Sequence, residues 1–308
     1  MGTTDPAVAV VGSYNVGLTM AVDEFPGPGE TVIGRDFAEG PGGKGSNQAI
    51  AAARLGADAR FVGSVGDDRY GDDALSLWER EGVAVADVGR DDGAHTGVGF
   101  VVVDDDGENE ITVAPGANDR LSAADVREAA AAIDDARSLL VQLEIGDGPV
   151  RAAVETGAAA GANVVCNPAP ARELDPAVLE HVDYLTPNEH EARTLAGVDG
   201  DATDEAVARE LLDLGVETVV MTRGAAGALL VDGDGVEQVE PPSVDVVDTT
   251  GAGDAFNGAL AVALAEGRDD VAALRFACAA GALAVTESEV VPGLPGRSAV
   301  EDLVQETW

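Results

Sequence analysis

Short apolar runs alternate along this chain with alanine-rich stretches whose apolar residues recur at helical spacing. Residues 7–11, ending at Gly12, read as a buried strand, and 59–65, 138–143, 162–166, 182–185 and 217–222 share that character. Helical periodicity marks 47–55, 72–81, 123–133, 150–160 and 204–214. From Ala252 two more helices follow, one to about 265 and one over 270–286. Near-continuous apolar strands are covered on both faces, and strands alternating with helices build a mostly parallel sheet. Two regions break the rhythm. Residues 18–39 set short β-like pieces among proline and glycine turns. Residues 97–103 and 110–113 flank Asp104-Asp105-Asp106-Gly107 as a hairpin. Together they predict a small β lid over a ligand crevice. No internal repeat or low-complexity linker is visible, so the 308 residues read as a single domain, 1–308.

Charge changes the picture most. The chain has 57 acidic and 18 basic residues, a net charge of −39, with 45% hydrophobic residues. Periodic apolar content of that size excludes the disorder such a charge would otherwise suggest. Self-repulsion destabilises the compact state unless salt screens it. The composition therefore reads as adaptation to a very salty medium. No basic patch is available to meet nucleic-acid phosphates. No apolar run approaches the roughly 20 residues of a membrane span, and residues 1–6 show no secretory signal. Cys166 and Cys278 lie far apart in apolar surroundings, without metal-ligand spacing. The expectation is a cytoplasmic protein with neither a nucleic-acid nor a membrane partner.

One basic residue is singular. Lys44 is the only lysine and sits in Gly42-Gly43-Lys44-Gly45, while the other 17 of the 18 basic residues are arginines. Glycines strip this loop of side chains, which lets a ligand approach the backbone closely. The second singular segment is 248–256, Asp-Thr-Thr-Gly-Ala-Gly-Asp-Ala-Phe. Its small residues open onto a helix whose first N–H groups are unpaired, which makes an anion site. Asp254 in that first turn could simply complement the helix dipole, but that leaves Gly251 and Gly253 unexplained. A carboxylate beside an anion hole can instead take the proton of a hydroxyl attacking a phosphoryl group. Rival motifs fail. Gly45 stands where a P-loop needs Ser or Thr, no Gly-x-Gly-x-x-Gly follows the first strand, and His95, His181 and His190 form no ligand cluster.

In these segments the chain resembles the ribokinase (PfkB) family of carbohydrate kinases, its ribokinase branch most closely. The resemblance runs in order through Gly12-Ser13-Tyr14-Asn15, 28–31, 42–49, Gln142-Leu143-Glu144, 167–172, 186–189 and 248–256. It implies a ribokinase-like three-layer α/β sandwich with a mostly parallel central sheet, and a lid over about 13–40 and 96–115. It implies phosphorylation of a primary hydroxyl of a pentose-like sugar by ATP. Asp254 would be the general base, and Gly251, Ala252 and Gly253 would offer N–H groups to the moving phosphoryl group. Asn15, Gly42, Gly43, Lys44, Asn47 and Glu144 would line the sugar pocket. Asn188, Thr222, Arg223 and Gly224 would lie near the nucleotide. Glu191, spaced i+3 from Asn188 and so placed on the same helix face, would join it in organising Mg²⁺. Asp248 and Thr250 would help hold K⁺. A homodimer through the lid is a further implication.

Two departures qualify that resemblance. The branch usually carries an aspartate, which holds sugar hydroxyls, where this chain has Gly17. Ribose 1-phosphate, a nucleoside or a ketohexose therefore stand beside ribose as acceptors. Family members also generally have a glycine near Glu289, so the cation loop is expected to be rebuilt. The reading from another class is a sugar-binding regulator without catalysis, against which Asp254, Gly251, Gly253 and Glu191 argue.

Overall fold

The computed structural model describes residues 6–198, 200 and 202–308. Its strands are β1 (Ala7–Val11), β2 (Asn15–Ala21), β3 (Asp36–Gly42), β4 (Asp58–Gly66), β5 (Ala84–Asp91), β6 (Gly97–Val103) and β7 (Asn109–Ala114). They continue as β8 (Ser138–Gln142), β9 (Asn163–Asn167), β10 (Tyr184–Leu185), β11 (Thr218–Thr222), β12 (Ala228–Val231) and β13 (Val236–Val239). Nine of them form one sheet in the order β13-β12-β11-β10-β9-β8-β1-β4-β5, parallel from β11 to β5. The hairpin β12–β13 adds an antiparallel edge.

The central strand shows why the sheet is covered twice. Val8 and Val10 enter one core, with the helices Lys44–Arg54, Arg69–Glu81, Ala252–Ala265 and Asp270–Ala284. Ala9 and Val11 enter the other, with Asp147–Ala160 and Asp204–Leu212. Side chains alternate across a strand, so an unbroken apolar run feeds two cores at once. One close approach matters for the site. A Cβ on Gly258 would lie 2.7 Å from the Ala51 Cβ and 2.9 Å from the Gln48 carbonyl. Its absence lets the helix carrying Asp254 press against the helix carrying Asn47 and Gln48.

The lid is a second sheet in the order β3-β2-β6-β7, with β2 parallel to β6 and the other pairs antiparallel. Its strands are longer and more regular than the short pieces expected within 18–39. β2 and β3 flank an exposed turn-rich connection over 22–35 that holds the prolines and glycines. Other differences are local. The helix expected over 123–133 is two short ones, Ala123–Glu128 and Ala130–Asp134. β5 has no counterpart among the expected strands, because its polar residues Asp87, Arg90 and Asp91 face solvent at the sheet edge. The C-terminal helix Arg297–Thr307 was likewise not expected.

Glu289 has φ 66 and ψ 146, the sole positive φ at a non-glycine residue among the described residues. That region is essentially reserved for glycine, because an L side chain crowds the backbone there. The conformation starts the turn Val290–Gly293, whose Val290 side chain packs on Gly251. Glu289→Gly should therefore stabilise the protein by about 1 kcal/mol and raise its melting temperature by about 2 °C. Glu289→Ala, which keeps a Cβ, should not. Calorimetry on both variants checks this, and equal melting temperatures would remove the strain.

Candidate active site

Five neighbouring parallel strands end on one edge, and the polar residues that follow them meet there. Ser13 follows β1, Glu144 follows β8, Asn167 closes β9, Thr186 follows β10 and Thr222 closes β11. Open parallel sheets place ligand crevices at this edge. Here it forms a cleft of about 210 Å³, lined by Lys44, Asn167, Asn188, Glu191, Thr222 and Asp254 with Gly251 and Gly253. The two distinctive segments of the sequence, 42–45 and 251–254, thus border one crevice.

Glu144 organises one end. Its Oε2 accepts from the Ser13 hydroxyl at 2.5 Å, from the Lys44 backbone N–H at 2.9 Å and from the Asn15 amide at 3.4 Å. Asn15 is fixed further by Asn118, whose amide donates to the Asn15 Oδ1 and the Tyr14 carbonyl. Asn15 pairs in register with Gly42 on β3. Gly43 has φ 88, and a Cβ there would lie 2.6 Å from the Asn15 nitrogen. The loop therefore needs glycine both for its conformation and for its contact with the strand end. Asn15, Gly42, Gly43, Lys44 and Glu144 form one cradle.

Asp254 lies in the first turn of Ala252–Ala265 and is buried. Its Oδ2 accepts from the Asn47 amide at 2.8 Å and its Oδ1 from the Gln48 amide at 3.0 Å. Burial raises its pKa above the ordinary carboxylate value. Lys44, Asn47 and Gln48 oppose that rise, and Glu144 adds to it. Both effects act on the carboxylate's basicity, which is the property a base needs. Gly251 has φ 84, and a Cβ there would meet the Val290 side chain at 2.5 Å. Gly253 faces open space, and the Ala252 N–H reaches only the Thr249 carbonyl, at 3.4 Å. Donors at the head of the helix are left for a ligand.

At the other end the structure qualifies two expectations. Asn188 and Glu191 lie side by side at the head of one helix. Asn188 is the N-cap of Glu189–Ala196, and the two side chains close a reciprocal capping box with both bonds at 2.8 Å. The i, i+3 spacing belongs to that motif, although both residues also line the cleft. Burial raises the Glu191 pKa, opposed by the Asn188 N–H and by Lys44. Arg223 is not among the residues that line the cleft. Its guanidinium donates to the Ala226 carbonyl and stands 3.9 Å from Asp204, while Thr222 beside it does line the cleft. Gly224 opens the short turn Gly224–Ala226. Lys44 is therefore the one cationic side chain lining the cleft among the described residues. Asp248 Oδ1 accepts from the Thr250 N–H at 2.9 Å, and the Val285 carbonyl anchors the same loop.

Several supporting residues escaped the sequence reading. Gln48 joins Asp254 to Asn167 and receives the Gln142 amide at 2.6 Å. Thr186 donates to Asn257 at 2.5 Å, and Asn257 donates to the Gly253 carbonyl, which ties the helix head to β10. Arg172 donates to the Leu143 and Ile145 carbonyls around Glu144. Gln48, Gln142, Asn167 and Asn257 are polar residues inside apolar segments. Uncompensated burial of such groups is costly, and that was the signal available.

Comparison with known proteins agrees with this geometry. The model of the pfkB family of carbohydrate kinases matches residues 5–297. The chain is 39% identical over 297 residues to a ribokinase of Bacillus subtilis, covering 96% of this chain and 99% of that one. It is 36% identical to a deoxyribokinase of Salmonella typhimurium over 282 residues, covering 91% and 92%. The structure of Arabidopsis thaliana ribokinase complexed with ribose and ATP superposes with a TM-score of 0.91 at 31% identity, covering 98% and 99%. With that family's sheet, its lid and a glycine-flanked carboxylate at the crevice, the chain belongs to the pfkB family of carbohydrate kinases.

Proposed function

We propose that this kinase transfers the terminal phosphoryl group of ATP to a primary hydroxyl of a pentose-like sugar, with Asp254 as the general base. The observation that carries the reading is the buried Asp254 carboxylate, held by Asn47 and Gln48 at the head of a helix whose opening glycines face the same cleft. The sugar lies in the cradle of Asn15, Gly42, Gly43, Lys44, Asn47 and Glu144. Its hydroxyl meets Asp254, which accepts the proton as the oxygen attacks phosphorus. N–H groups of Gly251, Ala252 and Gly253 meet the charge on the moving phosphoryl oxygens, and the Lys44 ammonium adds to that field. The lid covers the cradle, which keeps water from taking the phosphoryl group. Relatives named ribokinase, and the one solved with ribose and ATP, support both the donor and the acceptor class.

The donor set suits Mg²⁺ held largely by phosphates and water. No group of three or more His, Cys, Asp or Glu gathers as a metal cage among the described residues, and Glu191 and Asn188 are the oxygen donors on the nucleotide side. Mg²⁺ neutralises charge on the phosphate oxygens when bound. K⁺ would lie at the loop of Asp248 and Thr250, beside the strained Glu289 turn. The exposed apolar residues Phe37, Phe100, Ile111 and Val113 of the lid suit pairing with a second copy. The described helices include none long and apolar enough to cross a membrane.

The acceptor turns on Gly17. It pairs with Gly40 and Gly99 in register, and a Cβ there would meet only the Gly40 carbonyl, at 3.6 Å. Two residues from Asn15 on β2, it shares the face that bears the cradle. A Cβ there makes only an ordinary van der Waals contact. Gly17→Asp should shift preference toward free ribose over 2-deoxyribose and ribose 1-phosphate. An unchanged ratio of kcat/KM values across those sugars would refute this role.

Asp254→Asn should lower kcat by about 10²–10⁴-fold while leaving sugar binding within a few-fold. The raised pKa means the folded protein holds this proton more tightly than the unfolded chain. The carboxylate therefore costs stability as pH rises from about 4 through the raised value, and that loss should vanish in the Asn variant. Melting curves across pH with single-turnover rates check both parts. Coupled ADP release in molar KCl, with sugars, nucleosides and sugar phosphates, should show turnover with a pentose-like acceptor and less in equimolar NaCl. Saturable binding without turnover on any acceptor would instead establish the regulator.

A further inference from the structure

Asn118 is a buried polar side chain with no part in the transfer chemistry. It lies in the short helical turn Gly116–Arg120 that follows the lid, and it is 1% exposed. Its side-chain bonds all run to Tyr14 and Asn15. Its Oδ1 accepts from the Tyr14 N–H at 3.0 Å, and its Nδ2 donates to the Tyr14 carbonyl at 2.9 Å and to the Asn15 Oδ1 at 3.0 Å. The two backbone bonds fix which end of the amide lies where. A reversed Asn118 would set its N–H groups against the Tyr14 N–H and its oxygen against the Tyr14 carbonyl. The main chain therefore dictates that Asn118 offers Asn15 a donor.

That direction passes on to Asn15. With its oxygen taken by Asn118, Asn15 turns its Nδ2 toward Glu144 Oε2 at 3.4 Å, and its other N–H has no protein acceptor among the described residues. The bonds of Ser13, Asn15 and Lys44 to Glu144 all fall on Oε2, which leaves Oε1 without a protein donor among the described residues. A free amide N–H beside a free carboxylate oxygen suits a hydroxyl, which accepts from one and donates to the other. An Asn15 turned end for end would set its oxygen against the carboxylate instead. Gly97 bears on the same bond. It pairs with Asn15 in register, and a Cβ there would lie 2.2 Å from the Asn15 Oδ1 and 2.4 Å from the Asn118 Nδ2. No positive φ asks for glycine at this position. The amide pair does.

We propose that Asn118 is a positioning residue that sets the polarity of Asn15, so that the cradle presents an N–H donor to a non-reacting hydroxyl of the sugar. Gly97 keeps clear the space that this contact needs. Asn118 acts only through Asn15, and the proposal rests on the sugar lying in the cradle.

A double-mutant cycle on ribose binding separates this role from general support of the fold. Titration calorimetry at fixed high KCl gives the ribose Kd without turnover. Asn118→Asp keeps the acceptor for the Tyr14 N–H and reverses the end that meets Asn15, while Gly97→Ala pushes the pair apart. Each should weaken ribose binding by about tenfold or more. Neither should change the KM for ATP, and kcat at saturating ribose should stay within about threefold. In an Asn15→Ala background either substitution should alter the ribose Kd by less than about twofold, because the residue through which it acts is gone. Weakening in that background as large as in the parent would mark a structural role and overturn the proposal. So would undiminished ribose binding in a single variant that melts near the parent. If Asn118→Asp fails to fold, Gly97→Ala carries the cycle alone. A parent that binds no ribose would overturn the acceptor assignment and this proposal with it, whereas additive variants of a ribose-binding parent overturn the proposal alone.

Discussion

A carboxylate kept out of water at the head of a helix is the constraint on which the rest of the structure depends. Asp254 is costly to bury, and it is held by two side-chain amides from a helix some 200 residues earlier in the chain, Asn47 and Gln48. For those amides to reach it, the helices Lys44–Arg54 and Ala252–Ala265 must touch closely. Gly258 and the small residues around Ala51 permit this. The contact in turn sets Gly43 and Lys44 facing Gly251 and Gly253 across one cleft.

Around that pair the fold uses strand ends. The parallel strands β1, β8, β9, β10 and β11 each deliver one polar residue to the same edge, and hydrogen bonds tie Ser13 to Glu144 and Asn167 to Thr186. The chain Asp254–Gln48–Asn167–Thr186–Asn257 runs from the buried carboxylate to the Gly253 carbonyl and back to the same helix. Such a closed network resists displacement of any single member. It holds Asp254 and the helix head on one frame, while the lid is held to the helix Arg69–Glu81 through Glu39, which bonds Arg69 and Tyr70.

The charge of the molecule makes the few local cations more telling. A surface of net charge −39 repels a nucleotide, and Lys44 is the one cationic side chain lining the cleft among the described residues. Arg223 donates to the Ala226 carbonyl and stands 3.9 Å from Asp204, outside the residues that line the cleft. Electrostatic compensation at the site thus falls to one ammonium, backbone N–H groups and the cations that accompany ATP.

What the sequence determined by itself was the parallel sheet covered on both faces and the two glycine-flanked segments, because apolar periodicity and glycine placement are local signals, whereas Asn188, Glu191 and Thr222 entered only through the family resemblance. Strand boundaries in the parallel sheet fell within a few residues for the same reason, whereas the edge strand β5 was hidden by its polar face. Tertiary structure alone decided the rest. It showed that the spacing of Asn188 and Glu191 caps a helix, that Arg223 bonds the Ala226 carbonyl, and that Gln48, Gln142, Asn118 and Asn257 support the site. Those roles depend on which side chains meet across distances of up to about 200 residues, as between Gln48 and Asp254. Only the close packing of the two cores brings such partners within hydrogen-bonding reach.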